Sequence, residues 1–332
     1  MRSKASLGER LGHYFSRGSQ PAPSVQVAAE ADAAAAEAAE KGSADAASPS
    51  GARFLLFDPS FAPLLQRVDA SILQTPPERV PNLLAQLPLD LFALAAAYRP
   101  SEYPNLSAWL PEMPSEEVQV EFTGAAGEQV MLEAAAFVGT LAAFAASQGL
   151  DLSRARLLDY GLGWGRVSRL LYRFTPAPSV HGVDAWPGSL ETAQALGLRG
   201  PLALIAEQPQ RLPFDGLFDV VCAFSIFTHL SEHAMQAALG AIRGGMREGG
   251  LLAVTIRPAD IWRLLGGEHE ARLEEHGARG FTFRSPGGES ASYGDASMTL
   301  DYIRKTWRGF EIARVQLNGL DPYQVMVILE AV

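Results

Sequence analysis

The chain has 332 residues, 48% of them hydrophobic and 19% charged, with a formal net charge of −10. That apolar content suffices for one large domain with an appendage. The acidic balance, without any Lys/Arg block, excludes duplex nucleic acid as a partner, because such affinity rests on neutralising phosphates.

Residues 1–50 are polar, Ala-rich and low in complexity, with Ala28–Ala39 almost all Ala and Glu. With no apolar face to dock, this segment is expected to be a disordered tail. Its start carries Arg2, Lys4, Arg10 and Arg17 beside Leu7, Leu11 and Phe15 on a loose helical spacing, which allows contact with an anionic membrane, but so few anchors favour a solvated tail. No uninterrupted apolar run reaches the ~18–20 residues of a spanning helix. No apolar signal-peptide core is present either, so a cytoplasmic protein without stable membrane insertion is expected. Residues 51–126 form apolar pieces cut by Pro59, Pro63, Pro76, Pro77, Pro81, Pro88, Pro100, Pro104, Pro111 and Pro114. They predict a cap of short helices without a core of its own. Gly127–Gln148 carries Val130, Ala134, Phe137, Leu141 and Phe144 at spacings of three and four, an amphipathic helix.

From there strands and helices alternate. Strands are predicted at 155–160, 179–184, 203–206, 218–224 and 250–256, with helices at 167–172, 188–197 and 231–247 between them. Continuous apolar strands in such a rhythm predict a parallel sheet covered on both faces, an α/β doubly wound architecture. A helix at 299–307 and strands at 310–317 and 323–329 predict an antiparallel hairpin at the sheet edge. The domain assignment is therefore a tail over 1–50, a cap over 51–126 and an α/β domain over 127–332. Within the last, 262–297 is an insertion containing Gly266-Gly267 and Gly287-Gly288, read as lid-like. Cys222 excludes an internal disulfide and reads as a small buried hydrophobe in the fourth strand.

The first strand runs into Asp159-Tyr160-Gly161-Leu162-Gly163-Trp164-Gly165-Arg166. Glycine at alternate positions lets the backbone turn sharply and approach a ligand. The dinucleotide fingerprint G-x-G-x-x-G would need its third glycine at 166, which is arginine, so that reading loses on spacing. Ligands of open α/β sheets lie beyond the carboxyl ends of the strands. Asp184 ends the second strand; it reads either as a helix N-cap or as a ligand carboxylate, and its register with the glycine loop favours the ligand. Gln208 follows the third strand, Phe224-Ser225-Ile226-Phe227-Thr228-His229-Leu230-Ser231-Glu232 the fourth, and Arg257 the fifth.

Taken together, D-Y-G-x-G-W-G-R, S-x-F-T-H-L-S-E, Thr255-Ile256-Arg257-Pro258 and Asp321-Pro322-Tyr323-Gln324 resemble a bacterial subgroup of the class I S-adenosylmethionine-dependent methyltransferases. The resemblance runs from about Pro114 to the C-terminus. It implies a Rossmann-like sheet and S-adenosylmethionine as cofactor, held by Asp159, Gly161, Gly163, Gly165, Asp184, Gln208 and Phe224. Asp184 would take the ribose hydroxyls and Gln208, in place of the usual acid, the adenine amino group; a plain loop is the alternative at Gln208. Leu162 also departs from the usual cysteine or serine.

His229 and Arg257 are the candidate catalytic residues. For His229, a base and a packing role under the loop are both open; for Arg257, an acceptor contact and an ion pair. His269, His276, Tyr293 and Asp295 fall in the insertion. No Asn/Asp-Pro-Pro-Tyr follows the fourth strand, which disfavours base or amide N-methylation, and no His/Cys cluster suggests a metal. The expected reaction is metal-independent transfer, favouring oxygen, to a small molecule or a saccharide. A non-catalytic S-adenosylmethionine-binding or scaffold protein is the alternative, and an NAD(P)-binding oxidoreductase a more distant one. The acceptor, the methylated atom and the oligomeric state are not specified by the sequence.

Overall fold

Each of the seven predicted strands forms, and the insertion adds two more. In the computed structural model these are β1 (Leu157–Tyr160), β2 (Val180–Asp184), β3 (Leu202–Leu204), β4 (Phe218–Ala223), β5 (Met246–Ile256), β6 (Phe281–Arg284), β7 (Asp295–Met298), β8 (Phe310–Leu317) and β9 (Val325–Ala331). The structure describes residues 51–265, 269–285, 292–317, 321 and 323–332. The expected tail over 1–50, the two glycine pairs of the insertion and most of the Asn318–Pro322 connection lie outside the described residues.

Seven strands form one sheet in the order β3-β2-β1-β4-β5-β9-β8. The first five are parallel, and β9 runs antiparallel between β5 and β8. This is a Rossmann-like doubly wound sheet with an antiparallel edge hairpin. Every residue of β1 and β4 is buried, since helices cover both faces; that is why these strands read as continuous rather than alternating apolar runs.

Before the sheet come helices α1 (Ala62–Ile72), α2 (Val80–Leu84), α3 (Leu89–Tyr98), α4 (Pro104–Trp109), α5 (Glu116–Thr123) and α6 (Glu128–Ser147). Then follow α7 (Arg166–Leu171), α8 (Pro187–Ala195), α9 (Glu232–Gly244), α10 (Ile261–Leu265), α11 (His269–Arg279) and α12 (Leu300–Thr306). Helix α6 is long and apolar enough to cross a membrane by length and composition, its apolar sequence being interrupted by polar Glu133 and Thr140, and half of its apolar stretch is buried. It covers one face of the sheet, where Met131, Phe137 and Leu141 share a single core with Leu65, Phe92 and Leu94 of the cap and with Leu157, Val220 and Ala253 of the strands. The prolines break the cap into short helices, and α6 supplies the core those helices lack.

The insertion contains α10 and α11 and a separate two-stranded sheet, β6 with β7. Its packing is polar as well as apolar. Fully buried Trp262 donates its Nε1–H to Ser297 Oγ at 2.7 Å, and His276 Nδ1 lies 2.7 Å from the same hydroxyl. His276, which the sequence places in a substrate-covering region, is thus part of the insertion's interior.

Candidate functional site

Strand order reverses at β1, which has β2 on one side and β4 on the other, so a crevice opens above its carboxyl end. The glycine loop fills the turn there. Gly161, Gly163 and Gly165 all have positive φ (74°, 53° and 85°), the left-handed region that a side chain resists. The N–H groups of Gly161 and Leu162 both donate to the Val183 carbonyl, at 2.8 and 3.0 Å, and tie the loop to the end of β2.

Asp184 completes that junction. Its Oδ2 accepts from the Gly163 N–H and its Oδ1 from the Trp186 N–H, both at 2.9 Å. Asp184 does not cap the following helix, whose N-cap position is Trp186 without a side-chain cap; its carboxylate fixes the backbone of the junction and still has lone pairs for a diol. Burial raises its pKa, opposed by the backbone N–H groups. Asp159 is also buried, but its Oδ2 accepts from the Ser168 N–H at 3.0 Å and the Ser168 hydroxyl at 2.6 Å. It therefore anchors the first turn of α7 behind the loop. Burial is the main cause that lifts its pKa to about 6.

The other strand-end residues are engaged with one another. His229 Nδ1 lies 2.7 Å from the Gly294 carbonyl, and Arg257 Nη2 lies 3.3 Å from His229 Nε2. Burial, followed by the Arg257 charge, depresses the imidazole pKa to about 3, so the ring is neutral. A neutral ring that donates through Nδ1 accepts the Arg257 N–H at Nε2, and in this arrangement no lone pair remains for an acceptor's proton. Arg257 Nη1 pairs with Asp295 Oδ1 at 2.9 Å, while Arg284 Nη2 holds the other oxygen, Oδ2, at 2.9 Å. Of the two readings for Arg257, the ion pair is the one the geometry displays. Gln208 Nε2 donates to Ser292 Oγ at 3.1 Å, so this amide is turned to the insertion. Phe224 packs between Phe137 and the Arg166 guanidinium, 4.9 and 4.5 Å away, and is buried beneath the crevice.

Several residues at the crevice carry no motif signal. Phe122 of α5 packs on Trp186 with ring centroids 5.0 Å apart and planes tilted by 36°, and it lies against Gly163. An aromatic side chain two residues past a strand-end carboxylate was the available clue to Trp186; Phe122 comes from the cap, 41 residues before Gly163. Ser225, next after Phe224, has φ 59° and gives its N–H to Thr255 Oγ1 at 2.8 Å. A left-handed non-glycine residue at a strand end is stored strain of the kind that collects at working sites. Arg169, fully buried, joins loop and cap by donating to the carbonyls of Gly165, Trp164 and Glu112. Among the described residues, no group of three or more His, Cys, Asp or Glu is placed to hold a metal ion. A cleft of about 550 Å³ lies away from this crevice, between α2, α6 and the Leu150–Ser153 turn that precedes β1.

Residues 157–250 match a family model described as a methyltransferase domain. No curated protein matches the chain. Among solved structures it is similar to an S-adenosylmethionine-dependent methyltransferase from Clostridium acetobutylicum, at 12% identity over 59% of this chain and 91% of that one, TM-score 0.43. It is also similar to magnesium protoporphyrin IX methyltransferase from Synechocystis with bound S-adenosylmethionine, at 16% identity over 61% and 84%, TM-score 0.41. A third is a glycopeptide N-methyltransferase complexed with sinefungin, at 15% identity over 58% and 93%, TM-score 0.41. Over residues 157–250, the stretch from β1 into β5, the chain is similar to a methyltransferase domain.

Proposed function

We propose that the chain transfers the methyl group of S-adenosylmethionine, without a metal, to a hydroxyl of a small-molecule or saccharide acceptor. The observation that carries this reading is the junction of Asp184 with the Gly163 N–H at the switch point, which joins a diol-binding carboxylate to a backbone-only loop. The residues fit the cofactor. Asp184 is suited to the ribose hydroxyls, the Gly161–Gly165 backbone to the methionine portion, and Trp186 with Phe122 to an apolar wall beside them.

The bound cofactor supplies a methyl group already activated by its sulfonium, so the protein's task is placement, worth up to ~7–11 kcal/mol when two reactants are held in line. Ser225 stands at the β4 end, where an acceptor oxygen would meet that methyl. His229 acts as a positioning residue, holding Arg257 and the Gly294 backbone.

The non-catalytic alternative draws support from one observation. His229 and Arg257 are bound to each other and to Asp295, which leaves the reaction without a free base from this pair. Incubating the full chain with methyl-labelled cofactor and bacterial metabolite and glycan extracts tests both readings. A labelled product supports the enzyme; cofactor binding by calorimetry with no labelled product across the extracts supports the binding protein. An oxidoreductase would require NAD(P) binding in the same titration. Arg166, at the place of the third fingerprint glycine, lies over Phe224 and 3.8 Å from Glu133, which opposes that outcome.

A further inference from the structure

The segment Ser292–Asp295 of the insertion crosses the carboxyl ends of the parallel strands and is fastened at three of them. Beyond β3, Ser292 Oγ accepts from Gln208 Nε2 at 3.1 Å. Beyond β4, the Ser231 N–H donates to the Ser292 carbonyl at 2.9 Å, the Gly294 N–H donates to the His229 carbonyl at 2.7 Å, and Leu230 and Tyr293 form an antiparallel bridge. Beyond β5, Asp295 is paired with Arg257 at 2.9 Å.

Tyr293 is the middle of this strap. Its ring is stacked on the His229 imidazole, 5.0 Å between centroids and 13° between planes. One face is therefore fixed while half of the side chain stays exposed. The other buried groups of the strap are spoken for, but the phenol hydroxyl makes no hydrogen bond among the described residues. It stands within electrostatic reach of Arg257 and Asp295 on the β5 side and of Asp184 on the β2 side. The strap that carries it is fastened to Gln208, Ser231, His229 and Arg257, the residues that follow the carboxyl ends of β3, β4 and β5.

We infer that Tyr293 is a cofactor-contacting residue supplied by the insertion, its hydroxyl hydrogen-bonding the adenosyl ribose from the side opposite Asp184. This rests on the proposed cofactor site and adds the group that closes it. The Tyr293 ring is fixed on His229 in a strap that is tied to residues following β3, β4 and β5. The aromatic face gives the strap a stiff, apolar surface against the nucleoside, and the hydroxyl gives it direction.

The test is calorimetric titration of the full chain with S-adenosylhomocysteine, comparing the natural protein with Tyr293→Phe. Phenylalanine keeps the stack on His229 and removes only the hydroxyl. One neutral hydrogen bond predicts a loss of about three- to tenfold in affinity. The melting temperature of the unliganded variant, which a merely structural role would lower, is expected to be unchanged. Affinity within about twofold of the natural protein, or a loss that accompanies a fall in melting temperature, overturns the inference and leaves the site reading intact. No binding by the natural protein overturns the cofactor site itself, and the inference with it.

Discussion

Asp184 Oδ2 and the Gly163 N–H are 2.9 Å apart, which makes the end of β2 and the glycine loop after β1 one mechanical unit. The loop's shape is therefore set by the residue assigned to the ribose. Substituting Asp184 removes a ligand contact and releases the loop together.

Asp184→Ala is expected to weaken S-adenosylhomocysteine binding by roughly 1.5–3 kcal/mol, the scale of hydrogen bonds to a charged group. Asp184→Asn retains one carbonyl oxygen for the Gly163 N–H and should fall between the two. Calorimetry ranks the three proteins, and equal affinities would remove Asp184 from the ribose.

This relationship shows what the sequence made legible. The strand run over 157–160, its three glycines and the carboxylate ending the next strand all lie within 30 residues, so spacing alone brought them together. The hairpin of β8 and β9 was equally readable from two apolar runs and a short connection, although not that β9 would lie inside and β8 at the edge. Gln208 and Arg257 were placed correctly at strand ends, while their partners Ser292 and Asp295 lie 84 and 38 residues away in the chain. Side-chain pairing across such distances leaves no periodic trace. Likewise, helical propensity and proline spacing gave the cap's pieces, but not its contact with the site, where Phe122 packs on Trp186, 64 residues further along the chain.

The first two glycines of the loop should not tolerate a methyl group equally. A Cβ at Gly161 would fall 2.1 Å from Ile226 Cδ1, whereas at Gly163 the nearest atom is Phe122 Cδ1 at 3.4 Å. Both variants carry the cost of a left-handed alanine, on the order of 1 kcal/mol. Gly161→Ala should therefore unfold at a lower denaturant concentration than Gly163→Ala. Adding Ile226→Ala, which clears the overlap, should recover part of the Gly161→Ala loss. Failure of that second change to help would show that backbone strain, not the overlap, sets the cost.

Asp159 gives the fold a pH signature. Burial, partly offset by the Ser168 hydroxyl and N–H, raises its pKa from 3.8 to about 6. Between those values the folded chain binds a proton that the unfolded chain releases, so this group's contribution grows as pH falls through about 6 and is complete below about 3.8. His229, depressed to about 3, acts in the opposite direction as pH falls, so the informative quantity is a difference between variants. Relative to Asp159→Asn, which has no charge to bury, the natural protein should gain stability between pH 7 and pH 4. Parallel melting curves for the two proteins across that range would refute the assignment.

The ion pair at the β5 end decides how Arg257 contributes. Its guanidinium sits 2.9 Å from Asp295 Oδ1, in a site where the carboxylate is 5% exposed and a second arginine, Arg284, holds Oδ2. Breaking a buried pair by removing one partner costs roughly 3–5 kcal/mol when the other charge is left uncompensated. Because Arg284 remains, Arg257→Met should fall at or below the lower end of that range. The double variant Arg257→Met/Asp295→Asn should be no more stable than Arg257→Met alone, since it removes the Arg284 ion pair as well. Cofactor affinity should change less than stability, because neither residue touches the glycine loop. If Arg257→Met instead kept its melting temperature and lost methyl transfer at least tenfold, about 1.4 kcal/mol in the transition state, the guanidinium would belong to the acceptor rather than to Asp295.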